Sequence, residues 1–287
     1  MKNSTFDQEN LYIMELNGFF LISGPCVIES EKLCMEIAER LCSLTAKYDL
    51  PLIFKSSYRK ENRTRVDSFT GIGDRNGLEI LQTIKQYYGI RVTTDVHTPN
   101  EALMAAEYGI DIIQIPAFLC RQTSLLKAAA QTGKMVNVKK GQFLAPDQMR
   151  FVVEKLLQFG ATKDKIILTE RGTQFGYSDL IFDVRSIPKM KKLGVPVVLD
   201  ITHSLQIPNQ ERGIAGGEPE LIGSMAAAGV ACGVDGIFVE THPRPQEALS
   251  DGSNMLNLSK MEDLIRTIIA LRQTYISIHK ETNISFK

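Results

Sequence analysis

The sequence predicts a single (β/α)8 TIM barrel with a short N-terminal cap, and three observations carry that expectation. Eight short apolar runs rich in β-branched residues recur along the chain. Segments with helical spacing separate them, and 287 residues are enough for one barrel core. An open sheet of this size would leave two unpaired edges, which a barrel removes. Residues 1–287 therefore read as one domain, with residues 1–18 as an extension over the base of the barrel.

The expected strands follow in order at 19–26 (FFLISGPC), 51–57 (PLIFKSS), 90–96 (IRVTTDV), 110–116 (IDIIQIP), 134–140 (KMVNVKK), 165–171 (KIILTER), 196–202 (PVVLDIT) and 234–241 (VDGIFVET). Their continuous apolar character suits strands buried on both faces. Helical spacing appears between them: Leu33, Ile37, Leu41 and Leu44; Leu78, Leu81 and Ile84; Leu125 to Ala130; Val152 to Phe159. It returns after the last strand with Leu264, Ile268 and Leu271.

Composition narrows the function classes. Lys+Arg 33 balances Asp+Glu 33, so no global field holds the chain on nucleic acid or an anionic membrane. Hydrophobic residues at 44% with 23% charged residues are ordinary globular composition. No apolar stretch reaches the roughly 18 residues of a membrane span. The polar start from Met1 to Asn10 does not read as a signal peptide, and the five cysteines are odd in number and scattered, which points to a reduced, cytoplasmic setting. The chain has no P-loop, dinucleotide fingerprint, nucleophile elbow or CxxC, and no Trp for a nucleic-acid stacking platform.

Loop lengths indicate where function lies. Helix-to-strand joints are terse, such as Tyr48-Asp49-Leu50 and Thr132-Gly133, whereas the loops after the second, seventh and eighth strands are long: Tyr58 to Gly77, Ser204 to Glu218, and Pro243 to Leu258. Loops that follow strands share the C-terminal rim, where barrel enzymes place their sites. Ala215-Gly216-Gly217 in the seventh reads as a hinge or a lid.

Two groups of residues collect on that rim. Cys26 leaves the first strand, His203 ends the seventh, and Glu240 and His242 end the eighth, whose loop carries Asp251. One sulfur, one nitrogen and carboxylate oxygens suit a borderline divalent ion, although each residue alone also suits a core or hydrogen-bonded role. The second group is cationic: Lys55, Lys60 and Arg63 around Ser57 and Asn62, Arg121 after the fourth strand, Lys139 and Lys140 ending the fifth, and Arg171 ending the sixth. Any one of these could pair with an acid such as Asp95, Glu170 or Asp200; together they call for an anionic ligand, phosphate or carboxylate.

GPCVIES (24–30), FKSSYRKENR (54–63), TTDVH (93–97), IQIPAFLCRQT (113–123), VNVKKGQFLAP (136–146), LTERGTQFGY (168–177), DITHS (200–204) and ETHPRPQEALSDGSNML (240–256) resemble the 3-deoxy-D-manno-octulosonate-8-phosphate synthase family. The likeness runs from the first strand to the end of the barrel. It implies a cytoplasmic, tetrameric barrel that condenses phosphoenolpyruvate with arabinose 5-phosphate and water for lipopolysaccharide biosynthesis. By motif, Lys55, Ser57, Lys60, Gln114, Lys139 and Arg171 would hold phosphoenolpyruvate. Asn62, Arg63 and Arg121 would hold the sugar phosphate, Arg121 serving a neighbouring subunit's site. Lys60, Asp95, His97, Lys139 and His203 are the implied catalytic candidates.

Cys26 in the GPC motif resembles the metal-dependent branch of the family, the other branch carrying Asn there. Cys26, His203, Glu240 and Asp251 would then bind one divalent metal ion, Zn, Fe, Mn or Co, its native identity open. Two alternatives stand beside this reading. The sister family of 3-deoxy-D-arabino-heptulosonate-7-phosphate synthases carries a KPR motif where this chain has KSSYRKENR, and a non-catalytic sugar-phosphate-binding barrel would need no metal.

Overall fold

The computed structural model describes residues 18–63, 65–177, 179–208 and 216–281. The expected N-terminal cap, apart from Gly18, and most of the seventh loop's tip lie outside these residues. Eight parallel strands form the barrel: β1 (Phe20–Gly24), β2 (Leu52–Lys55), β3 (Arg91–Asp95), β4 (Ile112–Ile115), β5 (Met135–Lys139), β6 (Ile166–Glu170), β7 (Val197–Asp200) and β8 (Gly236–His242). Each pairs with the next in sequence, and β1 closes on β8 with Phe20 opposite Gly236 and Gly24 opposite Glu240. Each crossover carries a helix: α1 (Glu31–Lys47), α2 (Asp74–Tyr88), α3 (Pro99–Glu107), α4 (Thr123–Gln131), α5 (Met149–Gln158), α6 (Ser186–Lys191) and α7 (Ile222–Ala231). Helix α8 (Met261–Glu281) follows the last strand.

The (β/α)8 barrel expected from the eight apolar runs is therefore the observed fold. Its two faces use the same strands differently. Residues pointing outward, such as Leu21, Phe54, Val92 and Val239, join Ile37, Leu41, Leu81, Ile265 and Ile268 of the helices in the larger core. Residues pointing inward stack in layers up the barrel. The lower layer is apolar: Phe20, Ile22, Ile53, Ile112, Ile167, Val198 and Phe238. Above it the inward positions turn polar, and at the C-terminal rim they are charged. Gly24 has φ +159 and sits where a Cβ would fall 2.0 Å from the Lys55 carbonyl oxygen, so only glycine lets β1 pass β2 there.

Three local differences from expectation concern the rim. Strand β1 stops at Gly24, and Cys26 lies beyond it, where Val27 makes an isolated bridge to Ser57. His203 stands not on a strand but on a short helical turn, His203–Leu205, after β7. The loop after β6, where no strand is expected from the apolar runs, carries an antiparallel ribbon of Thr173–Phe175 with Asp179–Ile181.

Candidate active site

The floor of the site is Phe238 on β8. Its ring centre lies 3.9 Å from Lys139 Nζ and 5.6 Å from Lys55 Nζ, so apolar packing below meets ammonium groups above. Over this floor a hydrogen-bond chain crosses the barrel. Thr169 donates to Asn137 at 2.7 Å, Asn137 to Gln114 at 3.0 Å, and Gln114 to Asp95 Oδ1 at 2.6 Å. Ser57 donates to the other oxygen of Asp95. Gln114 thus uses both ends of its amide one layer below the rim and holds Asp95 in place.

Asp95 is buried, and Lys55 and Lys60 stand 3.7 and 3.8 Å from its Oδ2. Burial alone would raise its pKa, but Lys55, Lys60 and Lys139 hold it well below the usual carboxylate range. Lys55 also donates to Glu240 Oε1 at 2.7 Å and to the Cys26 carbonyl at 3.1 Å. The ion pair of Lys60 within 4 Å among the described residues is the one with Asp95. Burial opposes its charge, and Cys26, Glu240, Asp95 and Asp251 together keep its pKa above the usual lysine value.

On the far side, Lys139 donates to Asp200 Oδ2 at 2.7 Å, and the same oxygen lies 2.7 Å from His203 Nδ1. Asp200 Oδ1 accepts the backbone N–H groups of Thr202 and His203. Burial works against the ionised form of Asp200, but His203 and Lys139 lower its pKa. An ionised carboxylate accepts only, so the His203 proton resides on Nδ1 and the lone pair of the neutral ring is on Nε2.

That Nε2 lies 3.7 Å from Glu240 Oε2 and 3.8 Å from Asp251 Oδ2. Asp251 Oδ2 is also 3.3 Å from Cys26 Sγ, and the ligand atoms of Cys26, Glu240 and Asp251 lie within 4.8 Å of one another. Glu240 is fully buried, yet its Oε2 has no hydrogen-bond partner. Asp251 holds a left-handed backbone at φ 50, a conformation that costs a non-glycine residue energy. Burial raises the pKa of the Cys26 thiol, and Asp251 and Glu240 raise it further. The Cys26 thiol donates to Asp251 Oδ2, whereas the imidazole Nε2 and the two carboxylates bring acceptor atoms to 3.7 and 3.8 Å of one another, a crowding that a cation among them would relieve. This donor set fits a borderline divalent ion.

Arg171 is the cation with the least compensation. It is 5% exposed, Nη2 donates to Gln206 at 2.9 Å, and Nη1 is buried without a partner. No carboxylate lies in ion-pair range of it among the described residues, and burial lowers its pKa. Arg63 reaches the eighth loop, donating to Ser250 at 2.6 Å and lying 3.7 Å from Asp251 Oδ1. Counted together, Lys55, Lys60, Arg63, Lys139 and Arg171 face Asp95, Asp200, Glu240 and Asp251, and a divalent ion would add to the positive excess. Five cations against four acids leave this rim with a positive excess that an anion can offset.

Some candidates stand apart from this cluster. Lys140 points away from the barrel and is fully buried. It donates to the carbonyls of Gly141, Leu144 and Gly172 and to Thr173, and pairs with Glu170 at 3.4 Å, so it binds loops together rather than a ligand. Alternation along β5 separates it from Lys139. Asn62 and Arg121 are exposed, and among the described residues their side chains have no hydrogen-bond or ionic partner. His97, at the tip of β3, binds Glu101 through Nδ1 at 2.8 Å. His242 accepts the Arg244 backbone N–H at Nδ1. Asp200, which the sequence presents as an acid that could neutralise a lysine, also holds His203, and its place three residues before that histidine is the sequence signal of this second role.

Over residues 8–275 the sequence matches the family described as the DAHP synthetase I family. The chain belongs to that family. Its relatives divide it further. The 2-dehydro-3-deoxyphosphooctonate aldolase of Cyanothece sp. (strain PCC 7425 / ATCC 29141) is 50% identical over 263 residues, 92% of this chain and 95% of that one. The protein of the same name from Variovorax paradoxus (strain S110) is 48% identical over 259 residues, 89% and 90% of the two chains. That from Geotalea uraniireducens (strain Rf4) is 49% identical over 251 residues, 88% and 91%. Among the described residues no helix is long and apolar enough to cross a membrane.

Proposed function

We propose that this chain is a 2-dehydro-3-deoxyphosphooctonate aldolase, that is, a 3-deoxy-D-manno-octulosonate-8-phosphate synthase. It condenses phosphoenolpyruvate with D-arabinose 5-phosphate and water and releases phosphate. The assignment rests on the relatives of that name, which are about half identical along nearly the whole chain. The observation that carries the substrate reading is the buried Arg171 guanidinium with an unpartnered Nη1, on the same rim as Lys60 and Lys139. A phosphorylated carboxylate supplies the anion these groups lack.

In this reading Arg171, Lys60 and Lys139 hold phosphoenolpyruvate, with Ser57 and Gln114 keeping Asp95 in register beneath it. Arg63, Asn62 and Arg121 take the sugar phosphate, Arg121 from a neighbouring subunit of a tetramer, so that assembly completes the site. C3 of the enol attacks the sugar aldehyde and water adds at C2. Phosphate then leaves with cleavage of its C–O bond. Positive charge developing at C2 sits between carboxylate and phosphate, and fixed ammonium and guanidinium groups keep both reactants aligned, which is where most of the acceleration arises. Of the three candidates for moving the proton, Asp95 and His97 would remain available once His203 holds the ion, since its Nδ1 is engaged by Asp200. Cys26, His203, Glu240 and Asp251 would hold one divalent ion, which supplies Lewis acidity for the aldehyde or for water. The pathway is lipopolysaccharide biosynthesis, and the setting is the cytoplasm.

The test is substrate choice. Phosphate release from phosphoenolpyruvate should respond to arabinose 5-phosphate far more than to erythrose 4-phosphate. The opposite preference would assign the chain to the heptulosonate branch, and turnover with neither would favour a sugar-phosphate-binding barrel.

A further inference from the structure

Glu101 is the third residue of α3, whose N-cap is Thr98, and it is 5% exposed. A glutamate at this position ordinarily returns to a backbone N–H at the start of its own helix. Thr98 does accept the Glu101 N–H at 3.3 Å, but the Glu101 carboxylate gathers five donors. Its Oε2 accepts the His97 backbone N–H at 3.0 Å, the His97 ring at Nδ1 at 2.8 Å and the Tyr58 hydroxyl at 2.6 Å. Its Oε1 accepts the Thr98 hydroxyl at 3.0 Å and lies 3.0 Å from Arg59 Nη2.

Capping α3 requires neither Tyr58 nor Arg59, which come from the loop after β2. Burial pushes the Glu101 carboxyl up, but the hydrogen bonds from His97 and Tyr58 hold it at about 2, so it is ionised and accepts only. The His97 proton on that side therefore resides on Nδ1, and Nε2 is the ring nitrogen left free of Glu101. Tyr58 and Arg59 run directly into Lys60, so the same carboxylate ties the loop bearing Lys60 to the loop bearing His97.

We propose that Glu101 is a positioning residue for the aldolase reaction, fixing the His97 tautomer and joining the two loops that carry His97 and Lys60. The proposal rests on the activity reading above for its kinetic arm only. Substitution Glu101→Gln keeps the size and the capping ability of the side chain. It leaves one acceptor oxygen among five donors and sets an NH2 against the rest.

Loss of hydrogen bonds to a charged group should lower kcat by about tenfold or more. The thermal midpoint at neutral pH should fall as well, because the variant loses the stability that the depressed carboxyl contributes there, so kcat is read at a temperature where the variant is folded. In NMR of histidine-labelled enzyme, with His97 assigned by comparison with His97→Asn, the wild type should show Nδ1 protonated and Nε2 bare. Glu101→Gln should lose that pattern. Tyr58→Phe removes one of the two ties between the loops and leaves the one from Arg59, so it should keep the His97 pattern and kcat while raising KM for phosphoenolpyruvate about threefold. Wild-type kcat in Glu101→Gln, unchanged His97 signals, or a fall in kcat with constant KM in Tyr58→Phe would each overturn the proposal. Should the wild type fail to turn over the two substrates, the activity reading fails, and the substrate-free His97 signals still decide the role of Glu101.

Discussion

Asp200 and His203 form a pair in which one carboxylate oxygen binds the ring at 2.7 Å and the other caps the two backbone N–H groups that deliver it. The ring can then turn only one nitrogen, Nε2, toward Glu240 and Asp251. A carboxylate behind a histidine in this way fixes the tautomer that a metal requires. Asp200→Asn should weaken divalent-metal affinity about 10–100-fold, as outer partners of metal ligands generally do. Competition against a chelating indicator measures it, and unchanged affinity would make Asp200 a partner of Lys139 alone.

Chelation should abolish turnover and leave the fold intact, because none of Cys26, His203, Glu240 and Asp251 belongs to the apolar clusters that hold the barrel. Adding back Zn, Fe, Mn or Co should restore activity. Cys26→Ala should lose metal and activity together, whereas His242, whose Nδ1 is spent on the Arg244 backbone, should tolerate replacement better. Full turnover by demonstrably metal-free protein would count against the metal-dependent branch while leaving the synthase reading alive.

Arg171 contributes a buried charge without a carboxylate partner among the described residues, so its removal relieves a cost in the free enzyme and forfeits an anion contact in the complex. Arg171→Ala should lose about 1.5 to 3 kcal/mol of phosphoenolpyruvate binding, roughly 10 to 150-fold. Arg121→Ala should weaken arabinose 5-phosphate instead. Calorimetric titrations with the two ligands separate these effects, and affinities unchanged in both variants would mark the arginines as structural.

Acid should destabilise the protein over a defined window. Lysines and His203 around Glu240, acting against its burial, bring it to about 2 from the usual 4.5, and Glu101 is depressed to the same value. A depressed carboxyl stabilises the fold fully above its unfolded pKa and loses that contribution as protons bind the folded form. The thermal midpoint should therefore fall between pH 4.5 and about 2, with Asp95 and Asp200 extending the loss further down. Calorimetry across that range checks it, and the fall should be shallower in Glu101→Gln.

The sequence alone determined the eight strands, because parallel strands buried on both faces read as apolar runs whatever surrounds them. Long loops pointed to the C-terminal rim, and the motifs named candidates, from Lys55 and Ser57 to Asp251, that the fold gathers on that rim. What the chain order could not express was direction and closure. In a strand buried on both sides the pattern does not tell inside from outside, so Lys139 and Lys140 looked alike until the barrel turned one toward Asp200 and the other toward Glu170. Only closure of β1 on β8 brings Cys26 to 3.3 Å from a carboxylate 225 residues away. Glu101 was hidden for the same reason: along the sequence it is a helix cap, and its partners Tyr58 and Arg59 reach it only because β2 and β3 lie side by side.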